Sequence, residues 1–304
     1  MSPSNVSSLA KTDVSAFTKS IFQLFKFRVI ELLLITSLPA MFLAARGMPS
    51  VNAIIGTLFG GSLAAASANA WNSYLDRDID SIMDRTSQRP LPLGKLSPLT
   101  AQITATLVGA LSLIVMMAFT NLLATFLTLV AILWYVVLYT FILKRKSSQN
   151  IIWGGIAGCM PVLIGWAAVT NSLSWQAWLL FVVVFFWTPA HFWALAIKYK
   201  EDYAAASIPM LPVVKSRKYV SVQIIIYAVL TVLSSLLLTY DSEMGIWYLA
   251  IALITGFIFI SQTISYHFHK IAETEKQKAM NVFHGSITYL TILSLAIVVL
   301  TIIR

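Results

Sequence analysis

Four aspartates fall within nine residues of one polar stretch, residues 69–98, NAWNSYLDRDIDSIMDRTSQRPLPLGKLSP: Asp76, Asp78, Asp80 and Asp84. If the stretch is helical, Asn72, Asp76, Asp80 and Asp84 recur every four residues and share one face. Carboxylates stacked in this way repel one another. The face is tolerable if water covers it, if Arg77, Arg85 or Arg89 compensates, or if a divalent cation sits there. Mg²⁺ takes oxygen ligands and commonly bridges one or two carboxylates to substrate phosphates. The pattern therefore points to a Mg²⁺–diphosphate site. The plain alternative is a charged loop that does no more than fix membrane topology.

A second acidic pair, Glu201 and Asp202, follows Lys198 and Lys200 in HFWALAIKYKEDYAAASIPMLPVVKSRK. Two acidic clusters can hold two metal ions, enough to neutralise a diphosphate. Lys144, Arg145 and Lys200 are then candidate partners for phosphate oxygens, although the run at 144–146 also reads as an orientation signal at a helix end. His191, in FFWTPAHFWALAI between Trp187 and Trp193, could ligate an iron porphyrin, hydrogen-bond a substrate or be a satisfied structural histidine. No Cys–His set has zinc spacing. No Gly-rich phosphate loop is present, and Gly154, Gly155 and Gly158 read as helix-packing positions. Cys159, the single cysteine, excludes an internal disulfide and reads as a small buried hydrophobe.

The elements that must position these groups are membrane helices. The chain is 58% hydrophobic and 11% charged, with a mean hydropathy of +0.81, against about 25% charged in soluble domains. Runs long enough to span a bilayer lie near 27–46, 50–70, 99–119, 121–143, 151–170, 174–197, 218–240, 245–265 and 284–303. Continuous apolar runs select helices over a barrel. The fold class is an all-α integral membrane bundle of nine transmembrane helices in one domain, 27–304, after a polar tail, 1–26, that has no signal-peptide core. With nine spans, 19 of the 21 Lys and Arg residues fall on one side, which places the N-terminus and the acidic loops in the cytoplasm and the C-terminus outside. Arg46 and Arg304 are the two exceptions. The net charge of +9 thus marks orientation and not nucleic-acid binding. Glu31 sits near the start of the first span, where it either marks the interface or, as an intramembrane acid, is a functional candidate.

At these two loops the chain resembles the UbiA superfamily of intramembrane prenyltransferases. The resemblance rests on Asn72, Asp76 and Asp80 at four-residue steps, on Lys26–Arg28, and on LKR at 143–145. TPAHFWALAI and PMLPVV resemble the haem-farnesylating branch, the protohaem IX farnesyltransferases. Phe27 stands where that family often has Pro, Ser207 where Gly is usual, and Lys198 where aromatic-substrate relatives have Asp. The resemblance implies a UbiA-type bundle that transfers the farnesyl group of farnesyl diphosphate to a vinyl group of haem B, adds water and releases diphosphate, with Mg²⁺ as cofactor. Asn72, Asp76 and Asp80 would be catalytic and metal-holding, with Glu201 and Asp202 assisting. Arg28, Arg77, Lys144, Arg145, His191 and Lys200 would contact substrates. Partners would be the lipid bilayer and a haem A synthase or terminal oxidase, in a bacterial inner membrane. Rival readings are a UbiA enzyme with a quinone or chlorophyll-type acceptor, a cation-binding transporter, and a non-catalytic haem-binding assembly factor.

Overall fold

A computed structural model describes residues 16–241 and 244–303, with the side chains of 27–34 outside the described set. Arg28 and Glu31 are therefore placed only as positions on a helix, and Lys11, Asp13, Glu243 and Arg304 lie outside the described residues. Among those residues the secondary structure is helical throughout, with no strand. After a helical stretch at 16–25, the helices are α1 Phe27–Ala45, α2 Val51–Leu75, α3 Arg77–Ile82, α4 Pro98–Phe119, α5 Leu122–Lys146, α6 Asn150–Thr170, α7 Trp175–Lys198, α8 Lys200–Ala205, α9 Arg217–Tyr240, α10 Gly245–Phe268 and α11 Ala272–Ile302.

Eight of the described helices are long and apolar enough to cross a membrane. The 19 residues of α1 reach about 28 Å at the α-helical rise, close to the hydrocarbon thickness. These helices coincide with the expected runs to within a few residues, with two informative exceptions. Helix α2 continues to Leu75 and so carries Asn72, because the helix does not stop where its hydrophobicity does. Helix α11 begins near 272 and not at 284. Its first turns hold Glu275, Lys276 and Lys278, a polar extension that apolar-run counting cannot register.

Consecutive helices pack on one another, and α1 closes the bundle by packing on both α6 and α11. Small residues set the closest approaches, as expected where apolar burial gives no advantage over lipid. Ser67 donates to the Ala105 carbonyl at 2.7 Å and Ser112 to that of Gly60 at 2.7 Å, which ties α2 to α4. Gly154 faces Tyr139 so closely that a Cβ there would lie 2.2 Å from the ring, and a Cβ at Gly155 would meet Thr188 at 2.7 Å. The packing role expected of these two glycines is thus observed, whereas Gly158 faces open space. Cys159 is buried, with its thiol on the Gly155 carbonyl.

The loop-bearing end that holds both acidic segments is cross-tied. Arg217, at the start of α9, donates to the carbonyls of Tyr266, His267 and His269, which cap α10, and pairs with Glu275 at 2.9 Å. Lys276 of α11 pairs with Glu201 of α8 at 3.0 Å. His267 and His269 bond Ser221 and Thr274.

Candidate active site

The site grows from a helix that nearly ends and then continues. At Asp76 the backbone leaves helical geometry (φ −93°, ψ 8°), and α3 resumes at Arg77. The four-residue hydrogen bonds survive the break: Asp76 N–H donates to Asn72 O at 2.9 Å and Asp80 N–H to Asp76 O at 2.7 Å. Asn72, Asp76 and Asp80 therefore keep a common face, and all three are buried, at 4%, 0% and 2% exposure. Met83 is extended and ends α3, which leaves Asp84 exposed and off that face. The expected ladder of four is a ladder of three, because the helix stops one step short.

Asn72 is the hub. Its Nδ2 donates to Asp76 Oδ2 at 2.7 Å and to Thr140 Oγ1 at 3.1 Å, while its Oδ1 accepts from Lys26 Nζ at 2.6 Å. Lys144 Nζ forms an ion pair with Asp76 Oδ2. Thr140 and Lys144 reach the site through a π-helical segment, Trp134–Leu143, at the end of α5. Thr140 Oγ1 also donates to the carbonyl of Tyr135, five residues back, in keeping with that winding. Such segments are uncommon and concentrate at functional sites. Arg145 forks onto both Asp78 carboxylate oxygens at 2.7 Å and reaches Asp76 Oδ1 at 3.8 Å. The Arg145 hydrogen bond holds the Asp78 carboxyl down at about 2. The Lys26 amine is lowered to about 7, chiefly by burial, then by the cationic Arg89.

Of the three arginines weighed as compensators, Arg89 does the work for Asp80, at 2.6 Å. Arg77 turns back onto its own helix end, donating to the Tyr74 carbonyl at 2.9 Å and lying over the Tyr74 ring. Arg85 lies 4.9 Å over the Tyr199 ring, so the first acidic loop does meet the second. Glu201 points elsewhere, to Lys276, and its carboxyl is lowered by that contact. Asp202 is half-buried beside it and Lys200 is exposed. Arg28 is on α1, and its side chain lies outside the described set. Sequence reasoning assigned no site role to Lys26 or Thr140, and it named Arg89 only as one of three arginines that could compensate the ladder. Lys26 and Arg89 stood in quoted motifs, but nothing in the spacing named their partners.

No group of three or more His, Cys, Asp or Glu side chains is gathered as a ready metal cage among the described residues. The donor set that does exist is the amide of Asn72 with the carboxylates of Asp76 and Asp80. Asp76 Oδ1 is buried and has no hydrogen-bond partner. A buried carboxylate oxygen left without one is costly unless a cation takes it. Oxygen donors of this kind suit Mg²⁺, so the residues present fit that ion.

His191 lies deeper in the bundle. Its ring is sandwiched between Trp187, 4.2 Å away, and Phe283 of α11, 4.4 Å away, with Nδ1 2.8 Å from Ser286 Oγ. Trp193, the other tryptophan flanking His191 in the sequence, faces Tyr227.

The UbiA prenyltransferase family model matches residues 33–287. The chain belongs to the UbiA prenyltransferase family. Among its UbiA relatives, one from Leifsonia xyli subsp. xyli, named protoheme IX farnesyltransferase, is 48% identical over 297 residues, covering 97% of this chain and 96% of the relative. Another of that name, from Streptomyces coelicolor, is 50% identical over 286 residues, covering 93% and 91%. The fold matches solved structures as well. A digeranylgeranylglyceryl phosphate synthase superposes with a TM-score of 0.77 at 21% identity, covering 95% of this chain and 99% of that one. A UbiA homolog from Archaeoglobus fulgidus, bound to GPP and Mg²⁺, gives 0.65 at 17% identity, covering 92% and 99%. The chain is thus a multi-pass integral membrane protein of UbiA fold.

Proposed function

We propose that this protein is a Mg²⁺-dependent protohaem IX farnesyltransferase that makes haem O. The buried Asp76, stacked with Asn72 and Asp80 and carrying an oxygen without a hydrogen-bond partner, carries the metal–diphosphate half of the reading. The acceptor half rests on near-full-length relatives at 48% and 50% identity that bear that name.

Asn72, Asp76 and Asp80 would hold Mg²⁺, with Asp202 and Glu201 available for a second ion. Bound Mg²⁺ would stabilise charge developing on the departing diphosphate. Lys26, Lys144, Arg145 and Lys200 would contribute cationic donors around that head group, with Arg28 assigned to the mouth, and Arg77 would join them only by leaving the Tyr74 carbonyl. The apolar bundle receives the isoprenoid chain and keeps water from the allylic cation as the C–O bond breaks. The haem vinyl group supplies the electron pair for the new C–C bond. Water then adds at the resulting cationic carbon and releases a proton, and diphosphate is the other product. His191 is assigned to the wall of the haem site. The membrane is a bacterial plasma membrane, residues 27–304 form one domain of nine spans, and the acidic mouth faces the cytoplasm. Haem A synthase or a terminal oxidase would receive the product.

The test is purified protein with haem B, farnesyl diphosphate and Mg²⁺, read by product mass. Asp76→Asn should abolish haem O with membrane insertion intact. Normal product from that variant removes the site. Farnesylation of a quinone precursor but not of haem would move the protein to the aromatic-acceptor branch.

A further inference from the structure

A groove of about 580 Å³ runs between α10 and α11, on the side of α10 whose Ile254 and Phe257 are exposed. Lys278, Asn281 and His284 come from α11, and Gln262 and Ser265 from α10. No acidic residue lines it. Gln262 Oε1 is buried without a hydrogen-bond partner. The His284 ring is exposed and makes no side-chain hydrogen bond among the described residues. The exposed His284 ring would face hydrocarbon without a partner, which is costly, so a polar ligand is called for.

The groove is also graded. Lys278 stands at the end of the bundle tied by Lys276–Glu201 and Arg217–Glu275, and Ile258 and Ile292 lie at the deep end with Thr255, whose hydroxyl is satisfied by the Ile251 carbonyl of its own helix. From Lys278 to Ile292 the helix rises about 21 Å, which is one bilayer leaflet with its head-group layer. A cationic mouth, neutral hydrogen-bonding groups below it and a deep end with Ile258 and Ile292 match a single lipid.

We propose that the α10–α11 groove is a second ligand site that holds one acidic phospholipid, its phosphate head against Lys278 and His284 and its chains along Ile258 and Ile292. The site is separate from the acidic ladder of α2 and α3 and does not depend on the reaction assigned to that ladder.

Native mass spectrometry of the detergent-released protein, incubated with equal amounts of phosphatidylglycerol and phosphatidylcholine of matched chains, tests this. The intact protein should keep a phosphatidylglycerol adduct over phosphatidylcholine by about fivefold, the weight of one surface cation near an anionic head group. Lys278→Gln should bring the two lipids to parity, and His284→Gln should narrow the preference. Lys276→Gln, outside the groove, should leave it unchanged. Parity in the unaltered protein, or an equal loss in Lys276→Gln and Lys278→Gln, overturns the site. If haem B displaces the lipid and shows a Soret shift that His284→Gln abolishes, the head group belongs to a porphyrin and the phospholipid assignment falls.

Discussion

Removing the Lys144 ammonium should destabilise the protein far more than removing both it and the charge it neutralises. Asp76 is fully buried, and its carboxylate has one hydrogen-bond donor, Asn72 Nδ2, besides the Lys144 ion pair. Arg145 is 3.8 Å from the other oxygen and is already engaged by Asp78. Lys144→Met therefore leaves a buried carboxylate nearly uncompensated, at a cost of about 3–5 kcal/mol. In Lys144→Met/Asp76→Asn the charge is gone from both partners, and such replacements are commonly close to neutral. With the double variant near neutral, the cycle should yield a coupling energy at least as large as the Lys144→Met cost, about 3–5 kcal/mol. Unfolding of the detergent-purified variants in EDTA measures it. A Mg²⁺–diphosphate arm adds a second reading. Metal at Asp76 substitutes for the lost cation, so the Lys144→Met deficit should shrink on addition and the double variant should not respond. The double variant should make no haem O in either condition. A double variant as unstable as Lys144→Met alone would refute the reasoning, because the destabilisation would then have nothing to do with the Asp76 charge.

Thr140→Val removes an acceptor that orients Asn72 Nδ2; the Mg²⁺ concentration for half-maximal farnesyl transfer should rise about tenfold, as for other groups that orient metal ligands. His191→Phe keeps the stack between Trp187 and Phe283 but loses the Ser286 contact; thermal unfolding should shift little, while haem affinity by optical titration falls about tenfold. Ser207 sits at φ +54° just past α8, with Ser207 N–H on Ala204 O and Ile208 N–H on Tyr203 O, a helix end that favours glycine. Ser207→Gly should raise stability by about 1 kcal/mol in denaturant unfolding, since the left-handed conformation is strained for residues with a Cβ.

The membrane helices were legible because lipid leaves the backbone no choice. Each span must satisfy its own hydrogen bonds, so apolar length alone identifies it, and α4 to α7, α9 and α10 lie where the runs predict. The Asn72–Asp76–Asp80 ladder was legible for a related reason: a four-residue step is a local property of one helix and survives even the break at Asp76. What the chain alone determined ends there. Which cations meet those acids was decided by tertiary packing, which brings Lys26 to Asn72 across 46 positions and Lys144 to Asp76 across 68. Arg77, adjacent in sequence, turns onto Tyr74, while Glu201 finds Lys276 75 positions away. Long Lys and Arg side chains reach in several directions, so sequence distance does not select their partners. The same holds for the α10–α11 groove, whose polar residues lie on two separate helices. Only the packing of α10 on α11 gathers them into one wall.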